Sequence, residues 1–157
     1  MVGTRRLNEL VRSANSRLEL PSGPLTVALS GGGDSAALAF LVHERDLSAA
    51  SVHIDHGLAG SPMLRQAAID IAAALDMDLE IIEVEVGKGP SPEGQARQAR
   101  YEVLDGWDGS VLTAHTRDDN AETMLINLIR GTGAAGLAGI PYHRPPTIYR
   151  PMLAITR

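Results

Sequence analysis

The sequence predicts a doubly wound, three-layer α/β fold built around a parallel sheet. Short apolar runs alternate with longer amphipathic segments along most of the 157 residues, and glycine or proline marks many of the connections. This alternation is typical of a parallel sheet that carries helices on both faces. Ligands of such sheets bind beyond the carboxyl ends of the strands. The residues that follow each predicted strand are therefore the first candidates for a functional site.

The first predicted element is an amphipathic helix. One stripe at helical spacing is formed by Leu7, Leu10, Val11, Ala14 and Leu18. The turn residues of segment 21–24 (Pro-Ser-Gly-Pro) end this pattern. We predict that residues 1–22 form a helix packed on a domain that spans residues 23–157.

The remaining elements alternate regularly along the chain. Apolar runs bounded by turn residues predict strands over 25–30, 49–55, 79–86 and 110–115, with 147–153 as a fifth candidate. The intervening segments predict helices over 36–44, 62–75, 93–104 and 118–130. We predict a loop over 87–92, and glycines break the helical pattern between 131 and 139.

Composition and charge exclude several classes of function. The chain has no cysteine, which excludes disulfide partners, thiolate metal sites and a catalytic thiol. A formal net charge of −5 argues against a broad polyanion-binding surface, although a local basic groove stays open. There is no apolar run of the roughly 20 residues needed to cross a bilayer, and no apolar signal core at the start. The sequence predicts a cytoplasmic location and no membrane partner.

The segment between the first strand and its helix has the character of a phosphate-binding loop. It reads Ser30-Gly31-Gly32-Gly33-Asp34-Ser35. Glycines let the backbone approach a ligand closely, and the amides at a helix start attract anions. The serine hydroxyls add donors, and Asp34 suits Mg²⁺, which bridges phosphates. The alternative is an ordinary glycine turn in which Asp34 or Ser35 caps the helix. The motifs GxxxxGK[ST] and GxGxxG are absent.

A histidine and three acidic residues lie where the fourth strand meets the next helix, namely His115, Asp118, Asp119 and Glu122. A structural interpretation is a capping box with Asp119 as N-cap and Glu122 as the N3 residue. That interpretation leaves His115 and Asp118 unexplained. Three carboxylates within two helical turns repel one another unless a cation neutralises them. The cluster therefore also predicts a site for a cation or a cationic substrate.

Four further sets of residues allow two interpretations each. Asp55 and His56 form a turn with the following glycine or line a nucleotide pocket. Arg97 pairs with Glu93 one turn earlier, or it neutralises phosphate charge. Arg130 contacts the end of a helix dipole, or it introduces a flexible active-site or RNA-contacting segment over 131–139. Weaker candidates for an RNA-facing side are Arg144 and Arg150.

Several motifs carry a family resemblance. The SGGGDS segment (30–35) resembles the SGGxDS loop of the PP-loop, or N-type, ATP pyrophosphatases, which cleave ATP between the α and β phosphates. Within that superfamily the chain resembles the tRNA(Ile)-lysidine synthetase family over about residues 24–157. The matching stretches, in family order, are VHIDHGL (52–58), EGQARQARY (93–101), TAHTRDDNAET (113–123), IRGTGAAGLAGI (129–140) and YRPML (149–153).

The resemblance implies a reaction and its participants. These are ATP, Mg²⁺, free L-lysine and tRNA(Ile), and the product is lysidine at the wobble cytidine, formed through an adenylated base. ATP would lie on the 30–35 loop beside Asp55 and His56. The residues implied for the other roles are Asp34 and Asp118 for the metal, Asp119 and Glu122 for lysine, and His115, Arg97 and Arg130, with Asp34, for catalysis.

The chain departs from the family pattern at Ala59, Thr116 and Asn120, which concern fine substrate contacts. Family members usually continue into domains that grip the tRNA, so the resemblance implies a catalytic domain without those C-terminal domains. Two alternatives stay open. The chain is another PP-loop ligase that forms amides or transfers sulfur, or it is a non-catalytic ATP-binding module. A module of that kind has no use for the carboxylates at 119 and 122.

Overall fold

A computed structural model describes residues 2–85 and 92–156. The helices are α1 (Val2–Arg17), α2 (Gly33–His43), α3 (Ser61–Ala74), α4 (Pro92–Asp105), α5 (Arg117–Ile129) and α6 (Gly133–Gly136). The strands are β1 (Leu25–Ala28), β2 (Ala49–Asp55), β3 (Leu79–Glu83), β4 (Ser110–Leu112), β5 (His143–Arg144) and β6 (Ile148–Tyr149).

The described strands form one sheet in the order β3-β2-β1-β4-β6-β5. Every neighbouring pair is parallel except β5 and β6, which are antiparallel. The chain builds outward from β1 through β2 to β3 and then crosses to the other side of β1 to place β4. The strand order therefore reverses between β1 and β4, where α/β folds of this kind bind ligands. The predicted α/β fold class is confirmed.

Two apolar clusters cover the two faces of the sheet. Val27 of β1 packs in a cluster with Leu18, just past α1, with Leu38 of α2 and with residues of α1 and α3. The next residue, Ala28, packs with the other cluster, which includes Leu104 of α4. Successive residues of a strand point to opposite faces. The first three helices therefore cover one face and α4 covers the other, which gives three layers.

The strand predicted over 49–55 is observed as β2 with the same bounds, whereas three others end earlier than predicted. The run predicted as strand 25–30 ends at Ala28, and those predicted over 79–86 and 110–115 end at Glu83 and Leu112. The backbone contacts to neighbouring strands continue one residue beyond β1 and β4, since the Leu29 amide donates to the Val52 carbonyl at 2.8 Å and the Thr113 amide to the Tyr149 carbonyl at 2.9 Å. The candidate strand 147–153 is reduced to Ile148–Tyr149, while β5 and α6 were not predicted. The predicted loop 87–92 lies outside the described residues, except for Pro92, where α4 begins.

Helix α1 contacts the rest of the fold through its carboxyl-terminal half. Leu18, just past its end, is 4% exposed, whereas Leu7 and Leu10 are 56% and 60% exposed. The apolar stripe predicted for this helix is therefore buried only in part. Arg45 donates to the Asn15 carbonyl, to Asn15 Oδ1 at 3.2 Å and to the Leu18 carbonyl at 2.8 Å. None of the helices in the described ranges is long and apolar enough to cross a membrane.

Candidate active site

The loop between β1 and α2 has one position that requires glycine. Gly31 has φ +82°, and a Cβ added there would collide with the carbonyl of Leu64 on α3. A side chain at Gly33 would meet nothing within 4 Å. The loop thus lies directly on the backbone of α3, and it can do so because residue 31 has no side chain.

The two serines hold the ends of this loop together. The Ser35 hydroxyl donates to the Gly32 carbonyl at 2.8 Å and accepts from the Ser30 amide at 3.2 Å. The Ser30 hydroxyl lies 3.1 Å from the Ser35 hydroxyl and accepts from the Gly32 amide at 3.3 Å. The N-cap of α2 is Gly32, and no side chain caps the helix. The alternative in which Asp34 or Ser35 is the N-cap is therefore wrong. Because no side chain caps it, the start of α2 suits an anion.

An open cleft of about 240 Å³ lies over this loop. The loop side chains and amides, His115 and Asp119 line it together with two residues of α4, Arg100 and Tyr101. Apart from the two residues of α4, these groups come from the ends of β1 and β4 and from the starts of α2 and α5. The cleft therefore occupies the point where the strand order reverses. It brings the predicted phosphate loop, His115 and Asp119 together in one site.

His115 is neutral in this environment at pH 7. Burial is the main reason that the pKa of His115 is lowered to about 4. The positive charges of Arg150, Arg100 and Arg97 lower this pKa further, while the negative charge of Asp119 raises it. The imidazole Nδ1 lies 3.1 Å from the Thr113 hydroxyl. A neutral imidazole can accept a proton, so His115 has the protonation state that a general base needs.

Helix α5 begins with a capping box, but one turn earlier than the predicted one. Thr116 is the N-cap, and its amide and hydroxyl donate to Asp119 Oδ2 at 2.7 and 2.8 Å. The Asp119 amide donates back to the Thr116 hydroxyl at 3.4 Å. The predicted box of Asp119 with Glu122 is wrong, because Thr116 is the last extended residue, with φ −98° and ψ 175°. Asp118 lies in the first turn, and Glu122 lies one turn further on and is exposed.

Three arginines, two from α4 and one from β5, surround Tyr101 of α4. The guanidinium carbons of Arg97, Arg100 and Arg144 lie 5.3, 5.4 and 4.3 Å from the centre of its ring. Tyr101 and Arg100 line the cleft, whereas Arg97 is exposed in an adjoining groove with Arg144. The alternative partner of Arg97, Glu93, lies outside the residues whose side chains are described.

Asp55 and His56 lie in a different cleft from the phosphate loop, with Glu83 and Glu85. Asp55 Oδ1 accepts from the Gly57 amide at 2.9 Å, and this bond is the main reason that the pKa of Asp55 is lowered. Arg65 bridges Asp55 and Glu83 at 3.3 and 2.7 Å. Burial lowers the pKa of His56, whose Nδ1 is buried without a partner. The geometry is that of a turn, and a role at the nucleotide stays a prediction.

The structure does not bring Arg130 to the cleft. It is the C-cap of α5 and exposed, at the opposite end of the helix from Asp119, about 16 Å away at 1.5 Å per residue. The glycine-rich segment after it folds back onto α5. The Asn127 side chain donates to the Gly136 carbonyl at 3.2 Å, and the Ile140 amide donates to Asn120 Oδ1 at 2.6 Å.

Arg150 was a weak candidate for RNA contact, and that interpretation is wrong. Its side chain is buried, with the residue 3% exposed, and it donates to the Pro141 carbonyl at 2.7 Å. Arg144 is half-buried and forms a two-pronged ion pair with Asp105, one arm of which is 3.0 Å long. Neither guanidinium extends freely into solvent.

Comparison with known proteins identifies the family. A family model described as a PP-loop domain matches residues 3–157. The chain belongs to the PP-loop domain family. The solved structures similar to this PP-loop domain include a predicted subunit of a tRNA methyltransferase from Methanocaldococcus jannaschii, with a TM-score of 0.55 at 15% identity over 86% of this chain and 70% of that one. They also include an NH₃-dependent NAD synthetase from Campylobacter jejuni, with a TM-score of 0.54 at 17% identity over 98% and 67%. These structures show the fold alone.

Sequence relatives of the PP-loop domain are named tRNA(Ile)-lysidine synthase. The protein from Salinispora tropica is 44% identical over 89% of this chain and 47% of its own length. The protein from Thermus thermophilus is 39% identical over 87% of this chain and 29% of its own length. The chain thus spans about half the length, or less, of these curated relatives.

The carboxylates of the PP-loop domain fit Mg²⁺ only together with a phosphate. Within residues 2–85 and 92–156, no three His, Asp or Glu side chains are grouped as metal ligands. Asp34 lines the cleft beside the loop, whereas Asp118 does not. Since Mg²⁺ usually binds one or two carboxylates together with substrate phosphates and water, one carboxylate beside a phosphate site suits it.

Three residues that line this cleft are not predicted to do so from the sequence, namely Arg100, Tyr101 and Thr113. Each lies inside a stretch that carried the family resemblance, EGQARQARY or TAHTRDDNAET. Spacing alone did not single them out, because an arginine and a tyrosine on a helix and a threonine at a strand end are ordinary structural residues.

Proposed function

We propose that this protein is an ATP-dependent ligase that joins free lysine to C2 of the wobble cytidine of tRNA(Ile) with a CAU anticodon, releasing AMP and pyrophosphate. The observation that carries the proposal is the shared cleft, in which the phosphate loop faces His115 and Asp119. The similarity to proteins named tRNA(Ile)-lysidine synthase supports the choice of substrates.

In the first step, ATP lies on the 30–35 loop with its pyrophosphate end at the start of α2. The cytidine O2 attacks the α-phosphorus, the bond to the β-phosphate oxygen breaks, and pyrophosphate leaves with its electron pair. The product is a base adenylated at O2. Arg100, in the cleft, and Arg97, beside it, supply positive charge for the phosphates. Mg²⁺ at Asp34, with Asp118 as the second proposed ligand, would supply further positive charge.

In the second step, an amine of lysine attacks C2, the C2–O bond breaks, and AMP leaves. The ammonium group of lysine matches the carboxylates of Asp119 and Glu122, and the Thr116 bonds orient Asp119 at the edge of the cleft. His115, which is neutral at pH 7, takes the proton that the attacking amine loses. Arg130 stays a proposed catalytic residue, and in this structure it lies at the opposite end of α5 from Asp119.

Pyrophosphate release from ATP tests the proposal. We expect release only when both lysine and tRNA(Ile) with a CAU anticodon are present. Asp34→Ala should lower turnover by at least about 100-fold, because the proposed Mg²⁺ ligand is lost and with it the positive charge that would stabilise the phosphates. The matched control is Asp70→Ala, which removes an exposed carboxylate on α3 that bonds only Gln66 in the described structure. Release of inorganic phosphate, or release that ignores lysine, would contradict the proposal.

The same assay separates the alternatives. A non-catalytic module would bind ATP and release nothing. Another PP-loop ligase would release pyrophosphate with a different nitrogen or sulfur donor in place of lysine. The carboxylate of Asp119 inside the cleft favours the lysine ligase over both, since it provides a partner for a cationic substrate.

A further inference from the structure

A single hydroxyl links His115 to strand β6. Thr113 Oγ1 lies 3.1 Å from His115 Nδ1 and 3.3 Å from the carbonyl oxygen of Tyr149. The Thr113 amide donates to the same carbonyl at 2.9 Å, which fixes the residue against the strand. Thr113 is 7% exposed, so water does not compete freely for its hydroxyl.

Counting protons assigns the direction of both contacts. A hydroxyl has one hydrogen, and a carbonyl oxygen can only accept. If the Thr113 hydroxyl donates to the Tyr149 carbonyl, its oxygen is left to accept, and His115 Nδ1 must carry the proton. In the opposite assignment the Thr113 hydroxyl donates to His115 Nδ1, so its oxygen and the Tyr149 carbonyl oxygen face each other over 3.3 Å with no proton between them. A proton lies in each contact only in the first arrangement.

This assignment determines the other ring nitrogen. A neutral imidazole has one N–H, so protonated Nδ1 leaves a lone pair on Nε2. His115 lines the cleft, and its Nδ1 is held by Thr113. The groups that act on its charge come from three elements, namely Arg97 and Arg100 of α4, Asp119 of α5 and Arg150 after β6. Three of the four are cations, and they oppose a charged imidazolium.

We propose that Thr113 is a positioning residue that holds neutral His115 as its Nδ1–H tautomer, so that Nε2 is the proton acceptor of the cleft. The inference rests on the proposed function, in which His115 takes a proton from the attacking amine. The Tyr149 carbonyl contributes to this role, because it accepts the single proton of the Thr113 hydroxyl and so keeps that proton out of the contact with the imidazole.

The tautomer can be read directly by ¹⁵N NMR of histidine-labelled protein, with the His115 signals assigned from a His115→Gln spectrum. We expect wild-type His115 to show protonated Nδ1 and unprotonated Nε2 from pH 8 down to pH 5. Thr113→Val, which keeps the shape without the hydroxyl, should lose this preference, and Thr113→Ser should keep it. Thr147→Val is the matched control, because the Thr147 hydroxyl is also buried but donates to the Leu104 carbonyl at 2.6 Å.

Lysine-dependent ligation gives the second readout. Thr113→Val should lower kcat by about 10- to 100-fold without a comparable change in the KM for ATP, because the base is less often in its active tautomer. Thr113→Ser, which keeps the hydroxyl, should have a kcat close to that of the wild type. Wild-type His115 found as the Nε2–H tautomer, or an unchanged tautomer in Thr113→Val, would overturn the inference. The Nδ1–H tautomer together with full activity of His115→Gln would uphold the tautomer and overturn the proposed catalytic role.

Discussion

At the scale of the residue, the phosphate loop depends on one glycine in particular. All three glycines of the loop look equivalent in the sequence, and the predicted reason for them was backbone freedom near a ligand. The structure separates them, because Gly31 has a positive φ and touches Leu64, while Gly33 is the first residue of α2 and has space around it. Leu64 is 33 positions away in the chain, so no local pattern could reveal this contact.

We therefore expect Gly31→Ala to lower the free energy of unfolding by about 2 kcal/mol or more, because a left-handed backbone and a collision with α3 act together. Gly33→Ala should change it by less than about 1 kcal/mol, since alanine is favoured over glycine within a helix. Chemical denaturation of both variants measures the difference. If both variants lost the same free energy of unfolding, the contact with Leu64 would not be the reason that position 31 requires glycine.

At the scale of the element, the start of α5 combines capping with the candidate lysine site. The sequence predicts a capping box from Asp119 to Glu122, whereas the structure has one from Thr116 to Asp119. Thr116 is 1% exposed, and the Arg117 amide donates to the Ile155 carbonyl at 2.9 Å. These tertiary contacts determine where the helix begins, and the pattern of neighbouring residues in the sequence does not predict them.

Stability can separate capping from substrate binding at this helix. Asp119→Ala should lower the free energy of unfolding by about 1–2 kcal/mol, because its carboxylate accepts two hydrogen bonds from Thr116. Glu122→Ala, at an exposed position, should change it by less than about 0.5 kcal/mol. Under the proposed function both variants lose lysine-dependent pyrophosphate release. Thermal or chemical denaturation checks the first part, and an equal loss of stability would contradict this account of the cap.

At the scale of the whole molecule, Arg45 connects α1 to the α/β body. Its guanidinium, just after α2, bonds two carbonyls and one amide oxygen at the end of α1. The last carbonyls of a helix are short of amide partners, and the Asn15 carbonyl accepts only a 3.3 Å bond from the Leu18 amide among the backbone contacts at this helix end. A cation there both bonds the carbonyls and faces the negative end of the helix dipole. The separate packing of residues 1–22 on residues 23–157 stays a proposal, and this contact makes it testable.

Arg45→Ala should release the first helix from the body. We expect the amides of α1 to exchange with deuterium faster by about tenfold or more, and the free energy of unfolding to fall by about 1–3 kcal/mol, because hydrogen bonds from a charged donor are lost. Arg12→Ala, at an exposed position on α1, is the matched control and should leave exchange nearly unchanged. Unchanged exchange in Arg45→Ala would contradict the proposed attachment.

The sequence by itself determined the α/β class, most of the helices and strands, and the phosphate loop, because residues close together in the chain encode each of these features. The tertiary structure decided the rest. The order β3-β2-β1-β4-β6-β5 places His115 and Asp119 over the loop and buries Arg150. It also sets Thr113 between His115 and the Tyr149 carbonyl. Such contacts join residues that are distant in the chain, so they follow from strand order and packing and not from periodicity.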